Sequence, residues 1–402
     1  MPNGTDKLSA LGFGTLRMPT KNGKIDYSQA EELIRKAVEC GINYFDTAFM
    51  YNEAEEALGK ALEKVGRQNV YIATKAPVPS IKSRETFDEI FIKQLMRLNT
   101  GWIDYYMMHN VSSYEDYSRL RDLGFWDFIS QQKANGSIRH AGFSYHGNLL
   151  DFKKIIDDGP WDFCQIQYNY LDEGFQAGKA GLEYAYSKGM GVVVMEPLRG
   201  GKLSALMPEE GKQIIKSSNT GRSAAEWALS WVLSHKEVSV ALSGMNELWQ
   251  IEENAAVAGS SGVGCMSDSD LAVISELKKC FEKEESIPCT GCAYCMQCPN
   301  GVDIPQCFSL YNSRVMFGGF KPLEQYAFAL DGFERPAARA SLCVSCGACL
   351  PKCPQSIEIP TMLKAVKKEM EKPWLKYHFR ITRYLSYKYY KVQVINTKQT
   401  RE

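Results

Sequence analysis

The sequence predicts an α/β protein in two parts: a (β/α)8, or TIM, barrel over residues 1–262, followed by a small, mostly helical domain rich in cysteine. Three observations carry this prediction. Short β-rich apolar runs alternate with amphipathic helical stretches from residue 11 to about 258, and there are eight such runs. The first βα turn, FGTLRMP, has one glycine and a proline where an open dinucleotide-binding sheet would need GxGxxG. Two runs of four closely spaced cysteines stand beyond the last barrel helix.

Taken in order, the strands are LGFGTL (11–16), NYFDTA (43–48), VYIATK (70–75), DYYMMH (104–109), RHAGFS (139–144), FCQIQY (163–168), GVVVME (191–196) and VSVALS (238–243). Between the first two, SQAEELIRKAVECG repeats its apolar residues at helical spacing, and Gly41 supplies a stop. SAAEWALSWVLSH (223–235) and NELWQIEENAAVA (246–258) read as the last two barrel helices. GSSGVG (259–264) opens a linker and helical connection assigned to 263–287, and the cysteine-rich domain is assigned to 288–360. From 361 to 402 runs a basic and aromatic tail, either a helix or arm docking its aromatics on the body or a surface for a membrane or redox partner.

The 47 basic and 47 acidic side chains cancel, so no global field favours nucleic acid or an anionic membrane. MPNGTDKLSALGFG lacks the pattern of a signal peptide, and no apolar run approaches a membrane span. A cytoplasmic protein is expected, and in a reducing compartment the 13 cysteines read as metal ligands before disulfides.

Chemistry in such a barrel sits at the C-terminal ends of the strands. Asp46 ends the second strand with Tyr51 five residues on, Lys75 ends the third and His109 the fourth. Singly these could be a helix cap, rim packing, a solvated strand end and a structural histidine. Together they make a working acid. An ammonium beside a phenol stabilises the phenolate and is expected to lower the Tyr51 pKa. Asp46 would hold Lys75 charged, and His109 would orient a substrate oxygen. Tyr114, Tyr117, Phe125 and Trp126 could line an apolar substrate pocket or simply pack.

FDTAFMY, IATK and MMHN at these strand ends resemble the aldo/keto reductase family, over residues 11 to about 258. The resemblance implies carbonyl–alcohol interconversion by hydride transfer from NAD or NADP to a small-molecule substrate, with Tyr51 as general acid, Lys75 and Asp46 tuning it and His109 orienting. It also implies that Gly14 and Thr15 border the nicotinamide and that Ser144 and Gln165 bond its carboxamide. Met195, Pro197, Leu198 and Arg199 would follow the nicotinamide face and pyrophosphate, and Gly244, Gln250, Glu253 and Asn254 would receive the adenosine end. Tyr145, Cys164 and Met195 depart from the Asn, Asn and Tyr common in the family. Gly244, Met245 and Gln250 stand where a Lys, a Ser and an Arg often meet the 2′-phosphate. A phosphate dianion is best met by Arg or Lys, so the chain is expected to use NAD, or to bind nicotinamide weakly.

LCVSCGACLPKCP (342–354) has the C-x2-C-x2-C-x3-C-P pattern of bacterial 4Fe-4S ferredoxins, and PCTGCAYCMQCP (288–299) is one residue tighter at its last gap. In two-cluster ferredoxins the fourth cysteine of each run serves the other cluster. The expected sets are Cys289, Cys292, Cys295 and Cys353 for one 4Fe-4S cluster, and Cys298, Cys343, Cys346 and Cys349 for the second. Zinc is the competing metal. The long, helically periodic connection between the runs makes a helical ferredoxin-like iron–sulfur domain the better expectation. Of the other cysteines, Cys307 alone is close enough in sequence to be a spare ligand.

Two enzymatic readings follow. In one, nicotinamide hydride reduces a carbonyl and the clusters are structural or redox-coupled. In the other, a ferredoxin-like partner passes electrons through the clusters to the barrel site. A hydride moves two electrons and a cluster one, and no flavin signature couples them here. An iron–sulfur sensor on a retired barrel ranks last, because the four catalytic-type residues are intact.

Overall fold

A computed structural model describes residues 6–283, 286–289, 291, 294–296, 298–330, 337–353 and 355–375. The chain divides into two compact units, Met1–Phe281 and Glu282–Glu402. In the first, eight parallel strands close a barrel: β1 (Leu11–Gly14), β2 (Tyr44–Asp46), β3 (Tyr71–Pro77), β4 (Ile103–Val111), β5 (Ile138–Tyr145), β6 (Phe163–Gln167), β7 (Gly191–Met195) and β8 (Val240–Ser243). Each strand pairs with its sequence neighbours, and β8 closes on β1 through Leu11↔Ala241 and Phe13↔Ser243. All eight expected strands are present.

Helix α1 (Tyr27–Glu39) shows how the helices are placed. The Asp26 carboxylate caps it by accepting from the amides of Ser28 (3.1 Å) and Gln29 (3.2 Å). Ala30, Leu33, Ile34 and Ala37, spaced for one face, are buried, each large aliphatic contributing about 1.5–3 kcal/mol. Gly41, at φ 84°, turns the chain as expected. The helices α2 (Ala54–Val65), α3 (Arg84–Arg97), α4 (Tyr114–Asp122), α5 (Phe125–Ala134), α6 (Leu149–Asp157), α7 (Gly178–Ser187), α8 (Lys202–Ala205), α9 (Glu209–Ser217), α10 (Ala224–Leu233) and α11 (Leu248–Ser260) complete the surround. A further helix, α12 (Asp268–Glu282), buries Ile274, Leu277 and Phe281.

The lower half of the barrel interior is filled by Tyr44, Ala73, Tyr105, Met107, Phe163, Val193, Val240 and Leu242. Two glycines make this possible. A Cβ on Gly12 would stand 2.7 Å from Leu242 and 3.0 Å from Tyr44, and one on Gly142 would stand 2.6 Å from the Phe163 ring. Asp6 closes the bottom, accepting from Tyr105 Oη (2.7 Å) and facing His140 Nε2 (3.1 Å). Chemistry is thereby confined to the upper, C-terminal end.

The described residues of the second unit include three helices: α13 (Ile304–Phe317), α14 (Lys321–Leu330) and α15 (Ile359–Met370). Its core includes Ile304, Phe308, Leu323, Tyr326, Leu363 and Val366. Tyr326 Oη accepts from the Ala340 amide and donates to Glu371, both at 2.8 Å, and Asn312 holds both backbone groups of Ile287 (3.0 and 2.6 Å). The first part of the segment read as a tail is thus α15, with Leu363, Val366 and Met370 buried in this core. The remainder of that segment, from 376, lies outside the described residues. Among the described residues no helix is long and apolar enough to cross a membrane.

Candidate active site

Strand register brings the catalytic-type residues to the C-terminal ends of adjacent strands, each stepped two residues beyond the partner of the one before. Gly14 pairs with Asp46 across β1–β2, Asp46 with Ala73 across β2–β3, and Lys75 and Pro77 with Met107 and His109 across β3–β4. Lys75 is 1% exposed and donates to Asp46 Oδ1 at 2.5 Å and to the Thr47 carbonyl at 2.7 Å. Tyr51 sits in the turn after β2, its amide bonded to the Ala48 carbonyl (2.9 Å). Lys75 Nζ lies 4.9 Å from the centre of the Tyr51 ring, and the His109 ring meets that ring edge-on at 5.7 Å between centroids.

The electrostatics refine the expectation. Burial alone would lower the Lys75 pKa, but Asp46 and Tyr51 outweigh it and hold the ammonium above its ordinary value. Burial raises the Asp46 carboxyl against the pull of Lys75. Tyr51 departs from the sequence expectation: burial raises its phenol more than Lys75 lowers it, with Asp46 pushing upward as well. It is therefore a protonated donor near neutral pH. His109 falls well below its usual range through burial, then the Lys75 charge, then His146, and stands as a neutral imidazole.

The residues expected around a nicotinamide divide into two groups. Ser144 and Gln165 are register partners across β5–β6, and both are buried. Ser144 Oγ accepts from the Asn110 amide (2.8 Å), and Gln165 Nε2 points to Met195 Sδ (3.8 Å). Gln165 Oε1 and Thr15 Oγ1 are buried with no protein hydrogen bond, so this end of the barrel holds unmet polar groups of the kind a carboxamide satisfies. The outer residues are already engaged. Arg199, left-handed at φ 49°, pairs with Asp172 (3.3 Å), which also accepts from Gln167 and Asn169 at 2.8 Å. Pro197 and Leu198 lie in this same turn, closed by the Arg199 amide on the Glu196 carbonyl (2.9 Å). Gln250 Oε1 accepts from the Asn246 amide (2.9 Å), Glu253 from Ser223 (2.6 Å), and Asn254 donates to Ser243 (3.2 Å). Gly244 is exposed and Met245 is buried.

Sequence reasoning passed over Arg17. Its guanidinium donates to the Gly200 carbonyl (2.8 Å), and its side chain stands 3.2 Å from where a Gly244 Cβ would be, so one cation spans the β7 and β8 loops. The only signal was a basic residue three positions after Gly14. The aromatic quartet after β4 is packing: Phe125, Trp126 and Tyr117 surround Trp161, and the Tyr117 hydroxyl donates to the Asp158 carbonyl (2.6 Å).

In the second unit the two cysteine runs interleave. Cys298 lines one cavity with Cys343, Cys346 and Cys349, and Cys353 lines another with Cys289. Cys295 lines both, as do Ile304 and Lys352. Cys292 lies outside the described residues. The Cys349 thiol is raised, first by burial and then by Cys343, Cys298 and Cys346. Among the described residues no three His, Cys, Asp or Glu side chains converge as they would on a single ion. Thiols spread around a cavity wall suit a polynuclear cluster. Cys307 lines neither cavity; it is fully buried against Tyr326 Oη (3.7 Å).

A closed eight-stranded barrel with a buried Lys–Asp pair at its C-terminal end has the architecture of a class of barrel oxidoreductases. The aldo/keto reductase family profile matches residues 10–261, and the chain belongs to that family. Residues 288–358 match the 4Fe-4S dicluster domain. The chain is 28% identical to L-galactose dehydrogenase of Arabidopsis thaliana, over 70% of its own length and 93% of that protein. It is 24% identical to the NADH-specific methylglyoxal reductase of Escherichia coli, over 69% and 96%. Among solved structures it is similar to an aldo-keto reductase from Bacillus halodurans in its holo form, at 26% identity and a TM-score of 0.57, covering 67% of this chain and 92% of that one.

Proposed function

We propose that the protein reduces a small carbonyl compound to an alcohol with a nicotinamide as hydride source and Tyr51 as general acid. The observation that carries this is the buried Lys75–Asp46 pair at 2.5 Å, with the ammonium 4.9 Å from the Tyr51 ring. A reduced nicotinamide, when bound, supplies the hydride to the carbonyl carbon. Tyr51 gives its proton to the carbonyl oxygen, completing the alcohol, and Lys75 stabilises the phenolate left behind. Asp46 keeps Lys75 in place, and neutral His109 donates a hydrogen bond that fixes the direction of the same oxygen. Gln165, Thr15 and Ser144 would hold the carboxamide, and Arg17 would face the pyrophosphate. The exposed Gly244 and the engaged Gln250 favour NADH, the nucleotide for which the Escherichia coli relative is specific.

Cys289, Cys292, Cys295 and Cys353 would hold one 4Fe-4S cluster, and Cys298, Cys343, Cys346 and Cys349 the other. Clusters so held supply one-electron chemistry or structural rigidity to the second unit. The test is anaerobic turnover of small aldehydes with NADH, with NADPH, and with reduced ferredoxin. NADH is expected to support it. Tyr51→Phe is expected to lower kcat by about 10²–10⁴-fold while NADH still binds within about twofold, as read by fluorescence quenching. Turnover with reduced ferredoxin alone would make the clusters the electron source and overturn the hydride reading.

A further inference from the structure

Tyr51 stands on a turn rather than a strand. The β2–β3 register runs only to Asp46, and the turn ends on Glu53 in a left-handed conformation (φ 53°) just before α2. A buried carboxylate ties this turn to β3. Glu55, in the first turn of α2, is fully buried and accepts from Thr74 Oγ1 at 2.6 Å. Thr74 is the strand neighbour of Lys75, and successive strand side chains point to opposite faces. Lys75 therefore reaches Asp46 inside the mouth while Thr74 faces the helices. On α3, Gln94 Nε2 lies 2.9 Å from both Glu55 Oε1 and Thr74 Oγ1, and 3.1 Å from the Lys75 carbonyl. The Tyr106 hydroxyl donates to Gln94 Oε1 (3.0 Å), which turns the amide nitrogen toward the carboxylate. Arg97 Nη1 pairs with Glu55 Oε2 (3.2 Å) and donates to the Phe49 carbonyl (3.4 Å), with its guanidinium 4.4 Å from the centre of the Phe49 ring. Gly59, one helical turn beyond Glu55, lets α2 approach α3 this closely: a Cβ there would lie 2.5 Å from the Arg97 carbonyl oxygen.

We infer that Glu55 is a positioning residue: through Thr74 and Gln94 on one side and Arg97 on the other, it fixes the separation of Tyr51 from Lys75 that proton transfer requires. This rests on the carbonyl-reduction reading above. Stability is a weak reason for a charge at this place. Burial raises the Glu55 carboxyl against the bonds from Thr74, Gln94 and Arg97, and apolar replacement of a buried ion pair is often neutral or stabilising. What the carboxylate supplies is a fixed link between two backbones, the strand that carries Lys75 and the turn that carries Tyr51. Glu55→Gln keeps the shape and one oxygen for Thr74 but removes the charge that holds Arg97, leaving the guanidinium drawn to Glu56 (3.0 Å). A displacement of about 1 Å in a reacting group costs on the order of 10²-fold in rate.

The experiment measures kcat and KM for a small aldehyde at saturating NADH, and NADH affinity by fluorescence quenching, on the full chain purified anaerobically. Glu55→Gln and Thr74→Val are each expected to lower kcat about 10–100-fold, with KM and NADH affinity within about threefold of wild type. Thr74→Ser, which keeps the hydroxyl, is expected to recover most of the loss. A kcat near wild type in both folded variants overturns the inference and leaves carbonyl reduction standing. A loss that Thr74→Ser does not recover, or that appears in KM rather than kcat, overturns it as well. Should one of the two variants not fold, the other decides; failure of both makes the carboxylate a fold element and ends the inference. Fluorine NMR of the chain labelled with meta-fluorotyrosine, with the Tyr51 line assigned through Tyr51→Phe, separates the two claims. If no carbonyl is turned over, yet that line moves in Thr74→Val and returns in Thr74→Ser, the catalytic reading falls and the positioning stands. A Tyr51 line unmoved in Thr74→Val and Glu55→Gln overturns the positioning whatever the turnover.

Discussion

Replacing Lys75 with methionine keeps its volume and removes its charge, and the consequence can be worked out from the site. Lys75 and Asp46 are 1% and 3% exposed and 2.5 Å apart. At an effective dielectric of about 20 their attraction is roughly 6–7 kcal/mol. The full amount is not lost, because Asp46 can take up a proton once its partner has gone. Removing one member of such a pair costs about 3–5 kcal/mol. The sign with pH follows from Asp46. Burial already raises its folded pKa against the pull of Lys75, and without Lys75 it rises further. The folded variant then binds more protons than its unfolded chain above pH about 4, so its stability falls as pH rises through the folded pKa and returns on acidification. Urea unfolding at pH 5 and pH 8, read by tryptophan fluorescence, measures this in the unit that holds six of the seven tryptophans. The double variant Lys75→Met with Asp46→Asn should be more stable at pH 8 than Lys75→Met alone. A single variant that loses under about 1 kcal/mol, or a double variant no better than the single, would refute the buried-pair argument.

Gly142→Ala places a methyl 2.6 Å from Phe163 and should cost about 1–3 kcal/mol in the same assay. Cys346→Ser should lower iron per chain and change the electron paramagnetic spectrum, whereas Cys307→Ser, away from both cavities, should leave iron content at the wild-type value. His109 is held neutral well below the usual imidazole range, so as pH falls below about 6.5 the unfolded chain binds more protons than the folded one, and stability drops with acidification. His109→Gln should flatten that acid limb, measured as the pH dependence of the urea midpoint.

The eight strands could be read from sequence because each is a short β-rich run with its polar end at a fixed place, as in NYFDTA and VYIATK. Gly41 could be read because a left-handed stop has few alternatives to glycine. What escaped depends on distance in space. The direction of the Tyr51 pKa turns on how deeply the phenol is buried, and motif spacing does not carry burial. Arg17 reaches loops 183 residues away at Gly200, and nothing in TLRMP marks that reach. Arg199 looked available to a phosphate until the fold set it on Asp172. Tyr114, Tyr117, Phe125 and Trp126 have the composition of a pocket wall, and Trp161, absent from that stretch, turns them into packing.

The interleaving of Cys298 with the later run, and of Cys353 with the earlier one, bears on assembly. Each cavity is walled by segments some 45–65 residues apart along the chain, and drawing such ends together costs on the order of 3 kcal/mol in loop-closure entropy. The first site to be stapled spends most of that entropy for both, since the two share the wall made by Cys295, Ile304 and Lys352. On the two-cluster reading proposed above, loading would be cooperative, with chains either empty or fully charged, and loss of one thiol should empty both sites together.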